Sequence, residues 1–320
     1  MHRPDVFTRN NPPRNGELAG AGRRFLAEGD SWFTLGTLNL FQASNVLTEL
    51  DFKQKNAVMS WAYPGDTLQQ MVKGIDDGDF DRELWNSPEK RGNFASFREG
   101  IIISAGGNDL IAAAEVLPVL KGKRVPPDKR LFLTADEVTA LPGAPGPLRR
   151  ISEAGWSTLS EYLFANFKIL LERKNGKNPD GKFDPDHPSA RSPLFLHTYA
   201  TPAARPSGAG FGSRGWLFPA MEAYGIAPGE MQPICAELFR RLREFLLSLD
   251  SASGNPRSLK KVHVFDSAGL PDIAPATPGA PGISGDWVNE IHLTAGGYRK
   301  MGAAFGRFID EVVDAEYGPL

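Results

Sequence analysis

The run Gly100-Ile101-Ile102-Ile103-Ser104 restricts the fold more than any other stretch of the chain. Three successive isoleucines leave no polar side, and the run closes on Ala105-Gly106-Gly107. Such a segment suits a strand buried on both faces, as in a parallel sheet covered by helices. Four more apolar runs of strand length lie at 23–29, 56–61, 194–199 and 261–265. Between them apolar residues recur every three or four positions. They are Leu35, Leu38, Val46, Leu47 and Leu50; Trp156, Leu159, Leu163, Phe167 and Leu170; Met231, Ile234, Leu238, Leu242, Phe245 and Leu249; and, behind a capping Thr294, Tyr298, Met301, Phe305, Phe308 and Val312. That spacing puts each set on one side of a helix. The alternation predicts an α/β fold, a three-layer α/β/α sandwich on a five-stranded parallel sheet with right-handed crossovers.

No linker interrupts the alternation, so 23–320 is expected to be one domain. Residues 1–22, rich in Asn, Pro, Arg and Gly without periodicity, are expected to be an N-terminal arm over its surface. The Pro-, Gly- and Lys-dense stretch 118–148 is expected to be an insertion and a partial cover. A second insertion, 201–226, carries Trp216-Leu217-Phe218 and either walls an acyl pocket or is pinned to the core by Trp216. A net charge of −2 offers no basic face to nucleic acid or an anionic membrane, which leaves a small molecule as the expected partner. Asp180, Asp184 and Asp186 with His187 sit among Gly and Pro without ligand spacing, so a solvated loop is expected, with no metal and no cofactor. The lone Cys235 falls on an apolar helix stripe and is expected in the core. With no leader recognised and no run of eighteen apolar residues, no membrane span and a cytoplasmic location are expected. The sequence carries no signal of oligomeric state.

The first run stops at Gly29-Asp30-Ser31, which places a hydroxyl at the carboxyl edge of the sheet. Strand-to-helix loops open a ligand crevice at that edge, and helix amides point into it. Ser31 is therefore the candidate nucleophile, although a turn with a helix-capping serine would leave the same three residues. A serine hydroxyl needs a neighbouring base, and an imidazole is tuned for the task. His2 lies in the arm, His187 in the polar loop, and His197 and His263 inside strands. His292, in a loop at the same edge, is the candidate base.

Four blocks now stand in order, each behind its own expected strand: Gly29-Asp30-Ser31, Gly65 in Pro64-Gly65-Asp66-Thr67, Gly107-Asn108-Asp109, and His292 in Asn289-Glu290-Ile291-His292-Leu293-Thr294. In these blocks the chain resembles the SGNH (GDSL-type) serine hydrolases over nearly its whole length. The resemblance implies a flavodoxin-like sheet, an acyl-enzyme on Ser31, His292 as general base, and an oxyanion hole made by the Ser31 amide, the Gly65 amide and the Asn108 side chain. The residue types suit those tasks, because glycine lets a backbone N–H approach closely and an asparagine amide donates without titrating. The family usually has an aspartate three residues before the histidine, where this chain has Asn289. Position favours Asn289 as the group that orients His292, charge favours Asp286, and Glu290 is a less favourable acid. The implied activity is hydrolysis of carboxylic esters, acyl or acetyl esters of lipid or carbohydrate. The same machinery would serve an acyltransferase, and a chain that kept the fold without the acid would be a non-catalytic binding module.

Overall fold

Ile101, Ile102 and Ile103 are all buried, and their strand lies in the interior of the sheet with a parallel partner on each side. The structure is a computed structural model that describes residues 2–14, 16–34, 44–73, 99–142, 145–178, 180–209 and 213–319. Its main strands are β1 (Asp5–Thr8), β2 (Arg24–Gly29), β3 (Ala57–Ser60) and β4 (Gly100–Ser104), followed after a small hairpin of β5 (Val119–Leu120) and β6 (Lys123–Arg124) by β7 (Leu194–His197) and β8 (Val262–Phe265). The sheet order is β1-β3-β2-β4-β7-β8, parallel throughout.

The sheet thus has six strands rather than the five expected. The extra one, β1, lies within the stretch expected as an arm and pairs residue for residue with β3, from Asp5 opposite Ala57 to Thr8 opposite Ser60. Four residues with only Val6 and Phe7 apolar give no periodic signal; the ladder to β3 and the burial of Phe7 hold the strand in place.

The remaining five strands follow the flavodoxin-like order, and the direction of winding reverses between β2 and β4. Ligands in open α/β sheets bind in the crevice beyond the carboxyl ends of the strands at such a switch point. The register makes the crevice compact. Ala27 lies opposite Ser60 and Gly29 opposite Ser104, so the segments following β2, β3 and β4 leave the same edge together.

The α-helices among the described residues are α1 (Ser31–Thr34), α2 (Leu68–Lys73), α3 (Gly107–Ala114), α4 (Ala135–Thr139), α5 (Glu153–Lys174), α6 (Leu217–Ala223), α7 (Pro228–Ser248) and α8 (Ala295–Tyr317). On one face Phe305 and Phe308 of α8 pack against Phe265 and Phe195, while Trp32 and Phe33 of α1 pack against His197. Phe195 and His197 share that face because strand side chains alternate. In the other layer Phe167 of α5 meets Phe245 of α7. Most of the expected stripes are buried: Leu159, Leu163, Phe167 and Leu170 in α5; Met231, Ile234, Leu238, Leu242 and Phe245 in α7, with Cys235 among them; Tyr298, Met301 and Phe305 in α8 behind the Thr294 cap; Trp156, Phe308 and Val312 are half-buried against them.

The helix expected to reach Leu50 does not. Leu35 and Leu38 lie outside the described residues, and 46–49 are turns with Val46, Leu47 and Leu50 fully buried. Asn45 and Thr48 bond each other's backbones there, and Ser44 donates to Glu49, so short polar side chains take the place of the helical ladder. The stretch 118–148 carries the β5–β6 hairpin and α4, and none of its described residues lines the cavity beside Ser31. Among the described residues no helix is long and apolar enough to cross a membrane.

Candidate active site

The end of β2 is held by its neighbours. The Asp30 carboxylate accepts the Trp32 amide at 2.9 Å, the Ser104 hydroxyl at 2.8 Å and the Tyr199 hydroxyl at 2.6 Å. It therefore ties the first turn of α1 to the ends of β4 and β7, and so sets the height at which Ser31 leaves the sheet. Burial pushes Asp30 up to about 6, against the pull of those three donors.

The Ser31 hydroxyl lies 2.8 Å from Nε2 of His292, and both residues are buried. On the other side of the ring, Nδ1 lies 3.0 Å from Oδ1 of Asn289. The same oxygen accepts the backbone N–H groups of Ile291 at 3.1 Å and His292 at 2.9 Å. Backbone N–H groups only donate, so this atom of the Asn289 amide must be the oxygen, and Nδ1 must carry the proton. Nε2 is then left with a lone pair facing the Ser31 hydroxyl, the tautomer a general base requires. Burial holds the His292 imidazole down at about 3, so it is neutral in the resting site at neutral pH.

Asp286 is not brought to the imidazole. Its carboxylate binds Nζ of Lys300 at 2.6 Å and the Ala274 amide at 2.7 Å. Glu290 faces elsewhere too: its buried carboxylate accepts the amides of Trp216, Leu217 and Phe218.

Gly65 occupies the turn after β3 at φ +92°, a conformation that favours glycine. Tyr63 N donates to Gly29 O at 2.9 Å, and Nδ2 of Asn108 donates to Asp66 O at 3.0 Å. Gly65 is thus suspended between a residue bonded to the end of β2 and one bonded to the first turn of α3. Ser31, His292 and Asn289 are joined directly, Asn108 lines the same cavity as Ser31, and Gly65 lies in the neighbouring turn after β3.

No protein-family model matches the sequence, and no curated protein matches it. Similar solved structures include the lipase Lip_vut3 from a goat rumen metagenome, at 14% identity and TM-score 0.44, over 89% of this chain and 96% of that one. A carbohydrate acetylesterase family member from Sinorhizobium meliloti is similar at 12% identity and TM-score 0.43, over 93% and 100%. A GDSL-like lipase from Bacteroides thetaiotaomicron is similar at 12% and 0.41, over 92% and 88%. Identities this low with TM-scores below 0.5 fix neither activity nor substrate, which must be argued from the site itself.

The cavity beside Ser31 is lined by Asn108, Ile111, Tyr199, Pro202, Phe239 and Ile291, among others. It has room for about one water. Of the stretch 201–226, Pro202 reaches this wall, whereas the Trp216 ring stands edge-on to His292 at 5.4 Å. A larger hollow of ≈ 510 Å³ between 146–149 and α7 contains none of these groups. Sequence reasoning missed the roles of Asp30, Ser104 and Tyr199, since a strand-end tyrosine and serine carry no spacing signal.

Proposed function

We propose that this chain is a serine hydrolase of the SGNH/GDSL type that cleaves carboxylic esters through an acyl-enzyme on Ser31. The observation that carries the reading is the relay from the Ser31 hydroxyl through His292 to Asn289, standing at the switch point of the sheet. In this reading Nε2 takes the Ser31 proton as Oγ attacks the ester carbonyl. The oxyanion that forms is bound by the Ser31 amide, the Gly65 amide and Nδ2 of Asn108. His292 returns the proton to the departing alcohol and then removes one from the water that hydrolyses the acyl-enzyme. Asn289 holds the proton on Nδ1 throughout and supplies no negative charge to the imidazolium.

Purified protein should turn over p-nitrophenyl acetate or a longer ester of the same series, and an organophosphonate should label Ser31. Ser31→Ala should fold as the wild type and lose essentially all turnover. An adduct on any other serine, or full activity in Ser31→Ala, rejects the assignment. Adding acceptor alcohols and looking for transesterified product separates a hydrolase from an acyltransferase.

A further inference from the structure

The Glu290 carboxylate is fully buried within the same short loop as Asn289 and His292, yet it faces away from the imidazole. Oε2 accepts the amides of Trp216 at 2.5 Å and Leu217 at 2.9 Å, and Oε1 accepts those of Phe218 at 2.8 Å and Arg205 at 3.4 Å. The Glu290 amide in turn donates to Ser207 O at 2.7 Å. The buried Arg205 guanidinium closes the arrangement by donating to the carbonyls of Asn289, Trp287 and Gly282. Residues 205–207 and 216–218 are therefore fastened to the loop that carries the relay.

The sequence on both sides is fitted to this contact. Gly215 has φ +94°, and a Cβ there would lie 2.5 Å from Oε2 of Glu290. Only a residue without a side chain lets the carboxylate reach the three successive amides. The neighbour so placed, Trp216, stands edge-on to the His292 ring with an interplanar angle of 82°. A carboxylate that shares its site with four N–H donors and no ring nitrogen has a task other than orienting the base.

We propose that Glu290 is a positioning residue: it clamps the 216–218 backbone so that Trp216 covers the His292 imidazole and keeps it dry and aligned with Ser31. The proposal rests on the serine-hydrolase reading for its kinetic consequence, but not for its structural one. If His292 is covered through this clamp, loosening the clamp lets water reach the ring. The burial that holds the imidazole well below its usual value then weakens.

The test pairs Glu290→Gln with Gly215→Ala and Trp216→Ala, and reads both ester kinetics and the NMR titration of the His292 ring. Glu290→Gln is expected to lower kcat roughly tenfold with KM within about twofold, since alignment is lost and substrate contacts are not. Its His292 titration should move up toward the ordinary histidine value. Trp216→Ala should reproduce both changes, and the double variant should be no worse than either single one, because residues acting as a unit are not additive. A Glu290→Gln protein with wild-type kcat and wild-type His292 titration, merely less stable, would overturn the proposal. Should Glu290→Gln fail to fold, Gly215→Ala, which displaces the same carboxyl group and leaves Glu290 in the chain, decides the matter by the same two readouts. If the wild type cleaves no ester, the functional reading fails while the titration still decides the clamp.

Discussion

Asn289 gathers three donors on one oxygen, and that fixes the imidazole's tautomer and orientation while leaving its charge unsupported. Asn289→Ala should lower kcat by roughly 10²–10⁴, the upper figure being the cost of a wrong tautomer in a serine protease triad. Asn289→Asp tests the missing charge. A carboxylate beside Nδ1 favours the imidazolium and raises the His292 pKa from its depressed value. The acid limb of kcat/KM, which in the wild type should lie well below pH 6.5, is then expected to move upward, with kcat at pH 8 equal to the wild type's or higher. Asp286→Asn removes only the charge that faces Lys300 and Ala274 and should leave kcat unchanged; a collapse of activity there would make Asp286 the orienting group after all. Ser31, Asn108, Asn289 and His292 could be nominated from the sequence because residue type, turn context, order in the chain and the family resemblance all bear on them. Between Asn289 and Asp286 the sequence could weigh position against charge, but only the fold of the 286–292 loop decides which side chain reaches Nδ1. Glu290 was illegible as a clamp because its partners are backbone amides more than 70 residues away, and backbone groups leave no mark in a sequence.

At the scale of elements, the site is a set of strand ends tied together. Asp30 links β2 to β4 and β7 through Ser104 and Tyr199, and Asn108 links α3 to the turn after β3 through Asp66 O. Tyr199→Phe leaves a buried carboxylate short of one donor and should cost about 1–3 kcal/mol in urea unfolding. An unchanged midpoint would show that the tie contributes nothing. Asn108→Ala should lower kcat by about 10²–10³ at little change in KM, because in the proposed mechanism its amide serves charge that develops only in the transition state. A raised KM at constant kcat would make Asn108 a ground-state contact instead. Five strands and three long helices could be read from periodicity, since each buries a continuous run or stripe. The edge strand β1 and the turns at 46–49 could not: one is held by a backbone ladder, the other by local side-chain bonds, and neither depends on an apolar pattern.

Over the whole molecule, two sets of buried ionisable groups oppose each other as pH changes. Burial raises Asp30 and Asp109 to about 6 and Glu290 to about 7. Each raised acid contributes stability that is complete below its unfolded value near 4 and is lost as pH rises through its folded value. Burial lowers His197 to about 4 and His292 to about 3. Each lowered histidine contributes stability that is complete above 6.5 and is lost as pH falls toward its folded value. Between pH 4 and 6.5 the two sets pull in opposite directions and offset each other only in part, three raised acids standing against two lowered histidines. His292→Gln removes one member of the second set. The unfolded chain then binds nearly one proton fewer across that window, which tilts the slope by about 1.4 kcal/mol per pH unit toward lower stability at higher pH. Denaturant unfolding of both proteins at pH 4.5, 5.5 and 6.5 measures the tilt directly. Two parallel curves, displaced by a constant, would mean that His292 titrates alike in the folded and unfolded chain, and that the imidazole beside Ser31 is not kept dry.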